Sequence, residues 1–189
     1  MKYALKNYIR GLRKHFREEK ERRRKYEFTG ETDTVYVGVF PCNKEHVLHR
    51  IRCKTTGTLG GWIEKEENLS QKGMCWVDGN AKVFGDAVVK GDAVVCEYAR
   101  VYGNARVSGT AVVSDQAQVF GDAVVKGNAE VSGKTRVFGK ARVDGNAEVS
   151  GNACVSENAE LHDFAEVYGS AKVGRDACLF GHDRICDRG

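Results

Sequence analysis

The sequence predicts an all-β chain, a parallel β-helix of about six triangular coils, and three periodicities carry that prediction. From Val77 to Ile185 every sixth residue is aliphatic: sixteen valines, with Leu161, Leu179 and Ile185 in the other three of nineteen slots. Four residues after each valine comes a second strict position, Ala from Ala81 to Ala177, with Thr135 the exception among seventeen. Rings recur at a longer interval, Phe84, Tyr102, Phe120 and Phe138 standing eighteen residues apart. A six-residue unit is too short to bury its own apolar side, so units must stack on one another. The eighteen-residue interval makes three hexads one coil and sets the four rings in a column on one corner. Coils spaced like neighbouring strands, about 4.8 Å apart, give a prism on the order of 30 Å long.

Within the hexad V-x-G-(N/D)-A-x, the Ala-x-Val triplet alternates in, out, in, which is strand periodicity. Small Ala and medium Val suit a narrow interior. Gly at the third place and Asn or Asp at the fourth suit a turn, because both tolerate left-handed backbone angles.

Upstream of the repeat, residues 1–27 read as a basic amphipathic helix. Leu5, Ile9, Leu12 and Phe16 form an apolar stripe at helical spacing, with Tyr8 beside it. Residues 28–72 read as a short β lead-in and cap, and 73–189 as the solenoid. Thr34 to Phe40 and His46 to Cys53 are β-branched and aromatic enough for two strands. Thr55 to Ser70 is turn-rich, with Trp62 and Ile63 as its apolar plug.

Charge is divided unevenly. Residues 1–27 hold eleven Lys and Arg against four Glu, a balance of +7, so the remainder carries −3 of the net +4. No apolar run has the length of a signal peptide or of a membrane span. Seven cysteines without a C-x-x-C pair read as reduced thiols in a cytoplasmic setting.

The hexads resemble those of the left-handed β-helix, the hexapeptide-repeat fold. The segment RIRCKTTGTLGGWIEKEENLSQKGMCWVDGNAKV is similar to the start of YdcK-like β-solenoid proteins, found in bacteria and their prophages. The likeness covers about residues 48–185, nearly three-quarters of the chain. It implies left-handed coiling, where the general rule for parallel crossovers is right-handed. Transferase labels within the family rest on fold analogy, a weak guide to function. The basic helix is not part of the family pattern.

At eighteen-residue spacing the outward residues fall on three faces. The first carries Lys82, Arg100, Gln118, Arg136, Cys154 and Lys172, with the aromatic column on its edge. The second carries Trp76, Val94 and Val112, then Glu130, Glu148 and Glu166. The third carries Val88, Arg106, Val124, Arg142, Glu160 and Cys178. Cations beside stacked rings suit an anionic partner, while rings alone also stabilise coil edges. The apolar strip Trp76, Val94 and Val112 is an expected interface, either with a second copy or with the N-terminal helix. A column of Glu about 5 Å apart is unfavourable unless a cation lies against it. After Gly181 the small position becomes Asp183, and an open last coil would be covered by a partner or a second copy.

Enzyme chemistry is sparse. Hexapeptide acyltransferases pair a catalytic His with a loop jutting from a coil, and here the register runs from Val77 to Leu179 without an inserted residue. His162, at a corner, is the one catalytic candidate on the prism body. Cys42, His46, His49 and Cys53 match no zinc spacing, and His46 and His49 would point to opposite sides of a strand. No metal site and no cofactor is expected. Phosphate or acidic-protein contacts fall to Arg10, Arg13, Lys14, Arg17, Arg22, Arg23, Arg24 and Lys25 of the helix, with Lys82, Arg100 and Arg136 of the first face. Glu18, Glu19 and Glu21 among them weaken the nucleic-acid case.

The reading is a non-catalytic binding scaffold, homo-oligomeric, acting on a macromolecular partner; the prophage resemblance suggests a modulator of a host machine. The alternatives are an acyl-CoA-dependent acyltransferase built around His162 and nucleic-acid binding through the N-terminal helix.

Overall fold

The computed structural model describes residues 24–38 and 43–187, so residues 1–23 of the helix predicted over 1–27, with its cations up to Arg23, lie outside the described residues, while Tyr26 and Glu27 of that span belong to a strand and not to a helix. Each Ala-x-Val triplet forms one rung, a two-residue strand made of the outward residue and the valine, as in Arg100–Val101 and Gln118–Val119. Backbone bonds join each rung to the next coil, Arg100 N–H donating to Ala117 O at 2.9 Å and Tyr102 N–H to Val119 O at 3.0 Å. Ala and Val of the triplets fill one continuous core, fully buried from Val77 to Ala147. Three faces result. Val112 pairs with Val94 and Glu130, Gln118 with Arg100 and Arg136, and Val124 with Arg106 and Arg142, all parallel and eighteen residues apart. The three outward series therefore stand as the sequence predicts.

The solenoid has about seven coils rather than six. The first-face sheet has seven parallel rungs, from Leu59–Ile63 to Lys172–Val173. The additional coil precedes the hexads. Ile63 pairs with Val83 and Leu69 bridges to Val89, intervals of twenty residues, while Val77 pairs with Val95 at eighteen. Two extra residues in this first coil hide it from a six-residue count.

Three strands lead into the coils: β1 (Tyr26–Val37), β2 (Lys44–Cys53) and β3 (Leu59–Ile63). They extend the first face, antiparallel from β1 through β2 to β3, then parallel from β3 onward. Strand β1 begins well before the expected Thr34, and Tyr26 already belongs to it. Its register slips between Phe28 and Thr32, around Gly30 at φ 93°. The first coil is closed from above. Tyr26, 2% exposed, joins the solenoid core, and its hydroxyl donates to the carbonyl of Leu69 or Glu66, both within 3.1 Å. Asn68, fully buried, donates to Gly85 O and Ala87 O.

The corner geometry refines the turn expectation. The third hexad place is left-handed throughout, including Glu97, Asp115, Glu157, Asp163 and Arg175 at φ 56–61° where glycine is missing. The fourth place is not. Its Asn residues instead reach across coils: Asn104 to Asp122 at 2.9 Å, Asn128 to Asn146 at 2.9 Å and Asn158 to Asp176 at 3.0 Å. Side-chain bonds thus join fourth-place residues of successive coils at these three positions.

Candidate functional site

Four rings form the predicted column on the edge of the first face. Phe84–Tyr102, Tyr102–Phe120 and Phe120–Phe138 are stacked with centroids 5.0, 4.9 and 5.0 Å apart and planes within 5°. Parallel rungs hold equivalent side chains at strand spacing, and a ring at each rung gives a stack without further instruction.

The top of this face is not open to a ligand. Val35 and Leu48 of the β1–β2 hairpin pack onto Phe84, leaving it 1% exposed, with Trp62, Val37 and Tyr102 around them. Asp33 pairs with Lys82, and this hydrogen bond holds the Asp33 carboxyl below its usual range. His46, 6% exposed, lies 5.0 Å from the Phe84 ring and 3.0 Å from both Glu64 carboxylate oxygens. Phe84 and Lys82, both expected in the binding set, are thus occupied from within. The reason is long-range: the hairpin curls over the outer side of the sheet it extends.

Below the hairpin the face opens. Tyr98, Arg100, Gln116, Gln118, Lys134 and Arg136 line a groove of about 510 Å³. Three are cations and none is acidic. Tyr102 hydroxyl lies 3.4 Å from Gln118 Oε1 and links the groove to the ring column. The nearest corner acids are committed to backbone groups, Glu97 accepting from Asp115 N–H and Asp115 from Gly133 N–H. Arg100 and Arg136 were legible as a face; Tyr98, Gln116 and Lys134 belong to the neighbouring corner and were missed, although they too recur at eighteen residues.

On the second face Trp76, Val94 and Val112 stand in one half-buried column, and Trp76 packs partly on the core. Glu130, Glu148 and Glu166 continue it in register. A cation meets this column from the chain's own last rung: Arg184 pairs with Glu166 in the ladder and donates to both its carboxylate oxygens at 2.8 Å.

His162 sits where the third face turns a corner. Its Nε2 lies 3.3 Å from Glu160 Oε2 and its Nδ1 3.9 Å from Asp144 Oδ2. Burial alone would raise the Asp144 carboxyl, but Lys126 at 2.8 Å and the Gly145 N–H hold it below its usual range. A second stack, Phe164 on His182 at 5.1 Å, lies on another corner line. His46 and His49 do serve different surroundings, His49 contacting Phe28 at 5.2 Å; Cys42 lies outside the described residues. Of the two cations of the expected helix that are described, Arg24 pairs with Glu66, and Lys25 donates to Cys75 O at 2.7 Å. Both pin the chain to the first coil. Among the described residues no helix is long and apolar enough to cross a membrane.

Comparison with known proteins agrees with the repeat architecture. The family model described as YdcK β-solenoid repeat matches residues 99–115. A stretch of 37 residues is 54% identical to a protein of Escherichia coli (strain K12) named "Uncharacterized acetyltransferase YdcK". That stretch is 19% of this chain and spans 11% of the length of the relative. The chain is a parallel β-solenoid, and its residues 99–115 match the YdcK type of repeat.

Proposed function

We propose that this solenoid works by binding, and that the groove on its first face takes an anionic surface of a macromolecular partner. One observation carries the reading: Arg100, Lys134 and Arg136 converge with two carboxamides and Tyr98 in a groove whose lining has no carboxylate. Guanidinium groups match carboxylate and phosphate geometry, and Arg100 and Arg136 stand on either side of Gln118 in the ladder, spaced to grip an extended anionic surface. The rigid rungs fix the spacing of the cations, so little ordering is needed on binding. A role in modulating a host machine rests only on the prophage resemblance.

The test is a pull-down from bacterial lysate, with and without nuclease, comparing the full chain with R100E/R136E. The expected result is a stoichiometric protein that survives nuclease and is lost on charge reversal. Equal recovery by both chains overturns the groove. A partner lost on nuclease treatment favours nucleic acid instead, with affinity falling steeply with salt.

A second reading, acyl transfer from an acyl-CoA, has a specific observation in its favour. His162 has the Asp144 carboxylate on its Nδ1 side, where the orienting partner of a general base stands, and the relative is named an acetyltransferase. On this reading acetyl-CoA raises the melting temperature, and H162A abolishes turnover while the chain stays folded. An unmoved melting temperature at millimolar acetyl-CoA rejects it.

A further inference from the structure

The third face brings together three different donor atoms that the binding groove does not use. Glu160 and Cys178 are directly paired across two coils, and His162 stands two residues past Glu160, around the corner. One ligand atom from each lies within 4.8 Å of the other two. We propose that Glu160, His162 and Cys178 bind one divalent transition-metal ion, with zinc the best match.

The donor set argues for zinc. An imidazole nitrogen, a thiolate and a carboxylate oxygen together suit a borderline-soft ion, whereas magnesium and calcium take oxygen ligands. The geometry is compatible with it. Two donors each about 2.0–2.1 Å from a tetrahedral zinc stand roughly 3.3 Å apart, and His162 Nε2 lies 3.3 Å from Glu160 Oε2. Cys178 is exposed, and its sulfur lies within 4.8 Å of the other two donors.

The surroundings resemble those of a ligating histidine. Metal-binding imidazoles turn their other nitrogen to a carboxylate or carbonyl. Here Nδ1 of His162 faces Asp144, itself fixed by Lys126. Arg142 stands 3.7 Å from Glu160 Oε1 and leaves Oε2 to the ion. On binding, the Cys178 thiol gives its proton to solvent and a metal–sulfur bond forms; no electron is transferred. Three protein ligands leave a fourth position open to water or a small ligand. The proposal rests on neither functional reading above, and an ion on Nε2 would exclude His162 as a free base.

The experiment titrates the full-length, reduced chain with cobalt(II) as a spectroscopic stand-in for zinc. Expected is a thiolate-to-cobalt charge-transfer band that saturates at one equivalent and is displaced by zinc. C178S and H162A should each remove it, while C154S, on the first face, keeps it. D144N, which touches no metal, should weaken affinity about 10–100-fold, as lost orienting partners do. Circular dichroism confirms that each variant is folded. Absence of the band in the wild type, or its survival in C178S, overturns the site.

Discussion

Gly57 and Gly109 hold almost the same backbone angle, φ +74° and +75°, in opposite surroundings. Gly57 lies in the turn between β2 and β3, and a Cβ there meets nothing within 4 Å. Gly109 is a solenoid corner, and its Cβ would stand 2.6 Å from Gly127 O of the next coil. The lead-in strands are specified by individual side chains, whereas the coils are specified by what the neighbouring coil leaves room for. A lead-in residue answers to its own contacts; a coil residue answers to the residues eighteen before and after it.

The most damaging way to test that contrast is at the core of a middle coil. Val119→Asp puts an unpaired carboxylate among fully buried Val and Ala, at a cost of about 4 kcal/mol or more. Loss of the β circular-dichroism signal is the expected readout, and a retained signal would mean that the inward register is misassigned. In the lead-in, Leu48→Ala removes a fully buried side chain over Phe84 and should cost about 2–4 kcal/mol in denaturant titration. The coils below should keep their β signal.

The two glycines give the next contrast. Gly109→Ala combines left-handed strain of about 1–2 kcal/mol with the backbone clash, whereas Gly57→Ala carries the strain alone. Equal losses in melting temperature would mean that the neighbouring coil does not constrain Gly109. A smaller change runs the other way. Thr135 occupies an Ala slot with its hydroxyl buried and without a hydrogen-bond partner, so Thr135→Ala should stabilise by about 1 kcal/mol. The smallest effect is electrostatic. Because Lys82 lowers the Asp33 carboxyl below its usual value, the pair contributes above the unfolded value, about 3.9. It is lost as pH falls through the lower folded value. Partly exposed, it contributes under about 1 kcal/mol, and Asp33→Asn should flatten the acid limb of hairpin stability slightly.

The contrast also explains what could be read in advance. The three outward series follow from counting alone, because a rung fixes which residues are neighbours. The hairpin cover over Phe84 does not follow from counting. It depends on Val35 and Leu48 meeting a ring that lies 49 and 36 residues away. The start of β1 is equally obscured, since YEFTGETD lacks alternation and is bent at Gly30. The His162 cluster was half legible. Glu160 and Cys178 were placed on one face, but the turn that returns His162 toward them is a property of the corner.

The amide ladders and stacked rings show that likeness in this molecule recurs by whole coils, not by hexads. A deletion of eighteen residues would shorten the prism and leave every column intact. A deletion of six would keep each Val and Ala inside yet turn everything downstream by a third of a revolution. Rings would then stand above polar residues of another corner, Phe120 over Asp144 for example, and Glu above Arg. Core stability and surface identity are therefore separable by length of indel, and lineages of this repeat should gain and lose material in eighteens wherever a face is under selection.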